Sequence, residues 1–109
     1  LARDLGGALG VGGHLTRLRR TRIGRYDLAG AIALDRLAGD TPLLSMARAA
    51  ELSFPVLRVG PEDARSIGFG RPLDLRVPAD PTGMIGPDGT LLALYRPAGE
   101  QARAVAVLN

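Results

Sequence analysis

The 109-residue chain lacks several residue types, and each absence removes a class of function. It has no cysteine, which excludes disulfides, thiolate catalysis and cysteine-based zinc sites. Its single histidine excludes a histidine-rich metal site, and we expect no cofactor. No apolar run approaches the roughly 18 residues of a membrane span, and the first residues lack a signal-peptide core. We therefore expect a soluble, cytoplasmic protein that does not contact membranes. We also expect a monomer.

The charge of the chain permits a polyanionic partner without requiring one. All 14 basic residues are arginine, and 11 acidic residues leave a net charge of +3. This excess is too small to establish nucleic-acid binding, and the arginine bias can reflect a GC-rich genome. The chain begins with Leu1 rather than methionine, so we expect it to be a piece of a longer protein.

The first 24 residues, LARDLGGALGVGGHLTRLRRTRIG, are the most informative. Leu1, Leu5 and Leu9 recur every four residues, which predicts a short helix with one apolar stripe. Gly10 is expected to end it, because glycine is common after the last helical turn. The run from His14 to Ile23 has no helical period and predicts a strand.

The predicted strand carries Arg17, Arg19, Arg20 and Arg22, four guanidinium groups within six positions. Such crowding is unfavourable without an anion, and a planar guanidinium suits bidentate contacts with phosphate. The functional interpretation is a surface that contacts an RNA or DNA backbone. The alternatives are that carboxylates elsewhere in the fold pair with these arginines, or that the arginines face water.

The rest of the chain predicts an α+β fold. Residues 34–39 predict a short helix, 43–50 a second helix and Pro61–Ile67 a helical turn with proline at its start. Residues 73–77 alternate apolar and polar side chains, Asp88-Gly89 predicts a hairpin turn, and 102–108 form a last apolar strand. We expect four or five strands that curl into a small barrel. Three aromatic residues are too scattered to make a stacking platform and are expected to lie mostly in the core: Phe54, Phe69 and Tyr95.

The pattern LARDLG-x-ALG-x-GGHLT-x-LRRTRIG, followed by Tyr26, resembles the segment that closes the catalytic domain in the bacterial tRNA pseudouridine synthase B (TruB) family. Later features are similar to the end of the same family, including Pro55-Val56 and Gly70-Arg71-Pro72-Leu73. The resemblance implies three parts: the end of the catalytic domain (residues 1–39), a linker helix (40–56) and a PUA-like RNA-binding domain (57–109).

The resemblance also implies an activity for the parent enzyme. Members isomerise a uridine of the tRNA TΨC loop to pseudouridine, using an aspartate on a flipped-out nucleotide. The motif of that aspartate lies upstream in the family, so we expect no catalytic residue in this chain and no activity of the chain alone. Asp35 superficially matches the aspartate motif, but it lacks the preceding glycine and is better explained as a helix-start residue.

The same resemblance implies roles for particular residues. Leu18 matches a leucine that lines the base pocket, although it could equally be a core leucine. His14 is expected to be structural or to contact RNA rather than to act as an acid or base. Arg58, Arg65, Arg71 and Arg76 form a possible second RNA surface or are simply solvated. The expected RNA-binding residues are His14, Arg17, Arg19, Arg20, Arg22, Arg58 and Arg71.

The sequence thus favours the C-terminal part of a tRNA pseudouridine synthase, which supplies tRNA-binding surface for the TΨC stem-loop and one wall of the active site. A free-standing, non-catalytic RNA-binding module of PUA type is the alternative. A structural domain without an RNA partner is a third interpretation.

Overall fold

The computed structural model describes residues 1–108, and the chain divides into two compact units, Leu1–Ala31 and Ile32–Asn109. The mixture of helices and strands confirms the α+β prediction. In chain order the elements are α1 (Ala2–Ala8), β1 (Arg22–Ile23), β2 (Tyr26–Asp27), α2 (Met46–Ser53), β3 (Val56–Arg58), α3 (Pro61–Gly68), β4 (Thr82–Ile85), β5 (Leu91–Ala98) and β6 (Gln101–Val107). Two 3₁₀ turns, Leu28–Gly30 and Leu34–Arg36, lie between β2 and α2.

Helix α1 forms and ends as its sequence predicts. Gly10 has a φ of +70°, which glycine adopts without a steric penalty. The Val11 N–H donates to the Gly6 carbonyl at 2.9 Å, and the Gly10 N–H donates to the Gly7 carbonyl at 3.2 Å. These two bonds close the helix in a Schellman motif. The stripe of Leu1, Leu5 and Leu9 is exposed.

The predicted strand over residues 14–23 is wrong except at its end. Only Arg22–Ile23 is β-structure, and it pairs with Tyr26–Asp27 in a hairpin of two residues a side. Residues 14–21 are exposed and irregular. A strand needs a hydrogen-bonding neighbour, and within residues 1–108 no strand lies beside this segment.

The second unit is built on a four-stranded sheet in the order β3-β4-β5-β6. Strands β3 and β4 are parallel, and the other pairs are antiparallel. A parallel pair needs a long crossover, which residues 59–81, including α3, supply. The described strands form an open sheet, so the expected closure into a barrel is wrong: β3 and β6 remain separate edges.

The core of the second unit lies between the sheet and the segment that contains α3. Ile67 of α3 is fully buried, as are Met84 and Ala93 of the sheet. Residues 73–77 place Leu73 and Val77 inward, as their alternation predicts. They form no continuous strand, because only Leu73 pairs with β6, through a single bridge to Ala102.

The boundaries of the local elements follow their capping residues. Helix α2 begins three residues later than predicted because the Ser45 hydroxyl accepts from the Arg48 N–H at 3.2 Å and caps it. Helix α3 has Pro61 at its first turn, as predicted. The β4–β5 hairpin also agrees with the sequence, since Gly89 has a φ of +82°.

The three aromatic residues of the second unit differ in burial. Tyr95 is fully buried and Phe54 is half-buried. Phe69 is 74% exposed, so its expected place in the core is wrong. It follows the last turn of α3, where the guanidinium of Arg71 lies 5.1 Å from the centre of its ring.

The buried Tyr95 hydroxyl donates to the Arg71 backbone carbonyl at 2.7 Å, and burial raises the pKa of this phenol. The unfolded chain therefore releases the phenolic proton at a lower pH than the folded chain does. The stability that depends on the neutral phenol is complete below pH ~10, the ordinary pKa of tyrosine, and is lost as the pH rises through the higher pKa of the folded chain. We expect Tyr95→Phe to lower the free energy of unfolding by about 0.5–1.5 kcal/mol near neutral pH. We also expect the variant to lose less stability than the unchanged chain above pH ~10.

Urea unfolding at a series of pH values, followed by circular dichroism, measures both effects. Equal loss of stability in both proteins at high pH would contradict the assignment to Tyr95. Tyr26, which lies in the first unit and is 40% exposed, provides the control substitution Tyr26→Phe.

Candidate nucleic-acid interface

The arginine segment, defined as residues 17–22, follows a tightly packed turn after α1. A Cβ on Gly6 would stand 2.8 Å from the Gly13 nitrogen, and a Cβ on Gly13 would stand 2.5 Å from the Ala2 oxygen. Real Cβ atoms essentially never approach backbone atoms so closely. Residues 11–13 therefore turn back against α1, which fixes where the arginine segment begins.

The four arginines of this segment are exposed and lack acidic partners. Within residues 1–108, Arg17, Arg19, Arg20 and Arg22 form no ion pair and no side-chain hydrogen bond. This outcome removes pairing with the carboxylates of residues 1–108 as the explanation for their crowding. Contact with an external anion and plain solvation remain.

Asp27 is a carboxylate in the β1–β2 hairpin that forms no ion pair with the arginine segment. It lies directly opposite Arg22 in the register of β1 and β2. Its Oδ1 atom accepts from the Ala29 N–H at 3.0 Å and from the Gly30 N–H at 3.4 Å. The carboxylate thus caps the 3₁₀ turn Leu28–Gly30 instead of neutralising the guanidinium.

The net positive charge of the chain comes from the first unit. Leu1–Ala31 holds six arginines and two carboxylates, whereas Ile32–Asn109 holds eight arginines and nine carboxylates. The small overall excess therefore conceals a strongly basic first unit and a slightly acidic second unit. Binding to polyanions is favoured by local positive charge, so the first unit is the candidate interface.

Two of the four arginines of the predicted second surface are paired with carboxylates. The Arg58 guanidinium donates to Glu51 at 3.0 Å, and Arg48 donates to the same carboxylate at 3.1 Å. Arg76 is paired with Glu100. Arg71 lies over the Phe69 ring, and Arg65 is exposed. Exposed ion pairs are weak, yet they place a carboxylate beside the cations that would contact phosphate.

Leu18 and His14 are both exposed. Leu18 is 83% exposed, which removes the interpretation of a core leucine within this chain and leaves its role as a pocket-lining residue a prediction. His14 makes no side-chain hydrogen bond or ion pair in the described part of the chain. No cluster of three or more histidine, aspartate or glutamate side chains that could hold a metal ion occurs among residues 1–108.

A feature that sequence reasoning missed is a shallow cleft beside the β1–β2 hairpin. Gly24, with a φ of +56°, makes the turn between the strands. The cleft has a volume of about 180 Å³. The residues that line this hairpin cleft are Arg20, Thr21, Arg22, Ile23, Tyr26, Asp27 and Leu28. Gly24, which stands between Ile23 and Tyr26, is the residue of the sequence that could have indicated this hairpin.

None of the helices described in residues 1–108 is both long enough and apolar enough to cross a membrane.

Comparisons with known proteins cover nearly the whole chain. The family profile for the "tRNA pseudouridylate synthase B C-terminal domain" matches residues 1–52, and that for "tRNA Pseudouridine synthase II, C terminal" matches residues 54–109.

Curated relatives agree with these profiles. The chain is similar to tRNA pseudouridine synthase B of Cutibacterium acnes, with 54% identity over 114 residues that cover 99% of this chain and 38% of the relative. The protein of the same name from Mycobacterium ulcerans is 44% identical, with 100% and 36% covered. That from Thermobifida fusca is 42% identical, with 98% and 36% covered. The chain therefore spans little more than a third of the length of these relatives.

Proposed function

The chain belongs to the tRNA pseudouridine synthase B family, in its C-terminal region, and from this premise we propose that it supplies tRNA-binding surface to an enzyme that converts a tRNA uridine to pseudouridine. The observation that carries the proposal is the arginine segment, in which four guanidinium groups are exposed without acidic partners. Guanidinium groups in this state can neutralise backbone phosphates and release their counterions.

The proposal includes finer assignments. The tRNA element is the TΨC stem-loop, and Leu18 lines the base pocket of the complete enzyme. The chain alone is catalytically inactive, since none of its carboxylates stands in a Gly-x-Leu-Asp motif. It is proposed to be a monomer. Residues 1–39 complete the catalytic domain, 40–56 connect it and 57–109 form a PUA-like domain. The position of Leu18 within the arginine segment supports its role, because an exposed apolar side chain there is available to a nucleobase.

The contact between the four arginines and tRNA phosphates can be tested by measuring how tightly the 109-residue chain binds unmodified tRNA over a range of salt concentrations. If the four arginines each neutralise one phosphate, the logarithm of the association constant should fall with the logarithm of salt concentration with a slope of about −3 to −4. Filter binding or fluorescence anisotropy measures this slope. A folded chain that does not bind tRNA even at low salt would support the interpretation as a structural domain without an RNA partner.

Specificity separates the leading proposal from the free-standing RNA-binding module. The isolated TΨC stem-loop and the anticodon stem-loop of the same tRNA have similar size and charge, so each is the control for the other. The proposal expects tighter binding to the TΨC stem-loop. Equal affinity for both stem-loops would favour the alternative module.

A chimeric enzyme tests whether this chain can serve as the C-terminal region of an active pseudouridine synthase. The matched region of the Cutibacterium acnes relative, 38% of its length, can be replaced by this chain, which is 54% identical to it. The chimera should form pseudouridine in tRNA, whereas the 109-residue chain alone should form none. A folded chimera that binds tRNA but leaves its uridines unchanged would count against the proposed contribution to the enzyme.

A further inference from the structure

The hairpin cleft has an apolar wall made of side chains that remain accessible. Tyr26 is 40% exposed, Leu28 is 41% exposed and Ile23 is 58% exposed. Ile23 and Tyr26 are direct partners in the hairpin register, so their side chains lie on one face. The result is a small apolar surface that includes one aromatic ring.

Cationic groups border this apolar wall. Arg20 and Arg22 line the same cleft, and neither is paired with a carboxylate in the described residues. Asp27 also lines it, but its Oδ1 atom accepts from two backbone N–H groups of the following turn. The cleft therefore combines an apolar, aromatic wall with Arg20, which forms no ion pair in the described residues. Arg22 lies in register with Asp27, on the hairpin face opposite to Ile23 and Tyr26.

This combination fits one class of ligand, a nucleotide with an accessible base. Bases stack on aromatic side chains, and guanidinium groups bind the adjoining phosphate. A volume of about 180 Å³ is below the roughly 300–1,000 Å³ typical of drug-sized ligands, so the cleft suits a single base. A base in a regular duplex is stacked on its neighbours and is not available, which limits the ligand to an unpaired nucleotide.

We propose that the hairpin cleft binds one unpaired nucleotide of the RNA, with its base against the Tyr26 ring and its phosphate on Arg20. The inference rests on the proposed function, because it treats the arginine segment as the RNA contact. It adds a base contact at Tyr26 to the phosphate contacts.

Tyrosine fluorescence gives a direct test because the chain contains two tyrosines and no tryptophan. Tyr95 is fully buried and its hydroxyl is hydrogen-bonded, so a bound base can contact only Tyr26. The full chain is titrated with a hexauridylate and, separately, with an abasic phosphodiester of the same length and charge. We expect hexauridylate to quench the emission and to bind about tenfold more tightly than the abasic strand.

Two substitutions of Tyr26 separate the effect of the aromatic ring from the effect of an apolar side chain of similar size. Tyr26→Leu retains an apolar side chain and should bind hexauridylate about tenfold more weakly, with unchanged affinity for the abasic strand. Tyr26→Phe retains the ring and should bind hexauridylate as the unchanged chain does. Amide exchange of residues 22–27 checks that the hairpin persists in both variants.

The outcomes distinguish this inference from the proposed function. If the abasic strand and hexauridylate bind equally tightly and Tyr26→Leu has no effect, the cleft takes no base, while phosphate binding by the arginine segment stands. If neither strand binds, the inference and the proposed RNA contact both fail.

Discussion

Replacing all four arginines of the arginine segment by glutamine is expected to weaken tRNA binding roughly 100-fold near 100 mM salt. This factor corresponds to about 2.7 kcal/mol, or somewhat less than 1 kcal/mol for each guanidinium, which is within the range measured for exposed ion pairs. The salt dependence should fall as well, because each lost phosphate contact removes about 0.7–0.9 from the slope. The residual binding should vary little with salt.

The second unit offers a control with the same change of charge. It contains five exposed arginines for which no carboxylate partner is found in residues 1–108, and Arg71 is one of them. The four that do not lie over an aromatic ring serve as the control: Arg36, Arg65, Arg96 and Arg103. Glutamine at these four positions should weaken binding less than about threefold, because the unit that contains them already has more carboxylates than arginines. Equal losses in the two variants would mean that net charge, and not the arginine segment, determines binding.

The second large effect is expected where α1 meets the turn that leads to the arginine segment. A Cβ on Gly6 would stand 2.8 Å from both the Gly13 nitrogen and the Val11 oxygen. These are backbone atoms, so no side-chain rotation relieves the overlap. Gly6→Ala should therefore displace residues 11–13 and lower the free energy of unfolding of the first unit by about 2 kcal/mol or more. Affinity for tRNA should fall with it.

Gly7 is the matched control for this substitution. It lies in the same helix, and an added Cβ would meet no atom within 4 Å other than those of its chain neighbours and the backbone of α1 itself. Gly7→Ala should stabilise the helix by about 0.5–1 kcal/mol, because alanine loses less backbone entropy than glycine on folding. Amide hydrogen exchange of Ala2–Ala8 measures both effects. Increased protection in Gly6→Ala would refute the close approach of Gly6 to residues 11–13.

Local chemistry was sufficient to predict several elements. Gly10 ends α1, Pro61 begins α3, and Asp88-Gly89 makes the β4–β5 turn, each as expected. These features depend on the backbone conformation of four or five consecutive residues, and the glycines and prolines in the sequence indicate that conformation directly. The family was also recognisable from the first 28 residues, and the profile matches confirm it.

Other features could not be predicted correctly from the sequence, because they depend on contacts with distant parts of the chain. Whether residues 14–21 form a strand depends on a neighbouring strand, and the described residues provide none. Phe69 is apolar enough for a core, yet the end of α3 leaves it in solvent. The hairpin cleft arises from the packing of residues 20–28, so no single motif predicted it.

The sequence by itself determined the family, the composition of the arginine segment and the glycines that permit the turns. Only the tertiary structure decided which arginines are neutralised. Arg58 reaches Glu51 across seven positions and Arg76 reaches Glu100 across twenty-four, whereas Asp27, directly opposite Arg22, caps a turn. Charge is a property of each residue, but pairing depends on where the folded chain places the carboxylates.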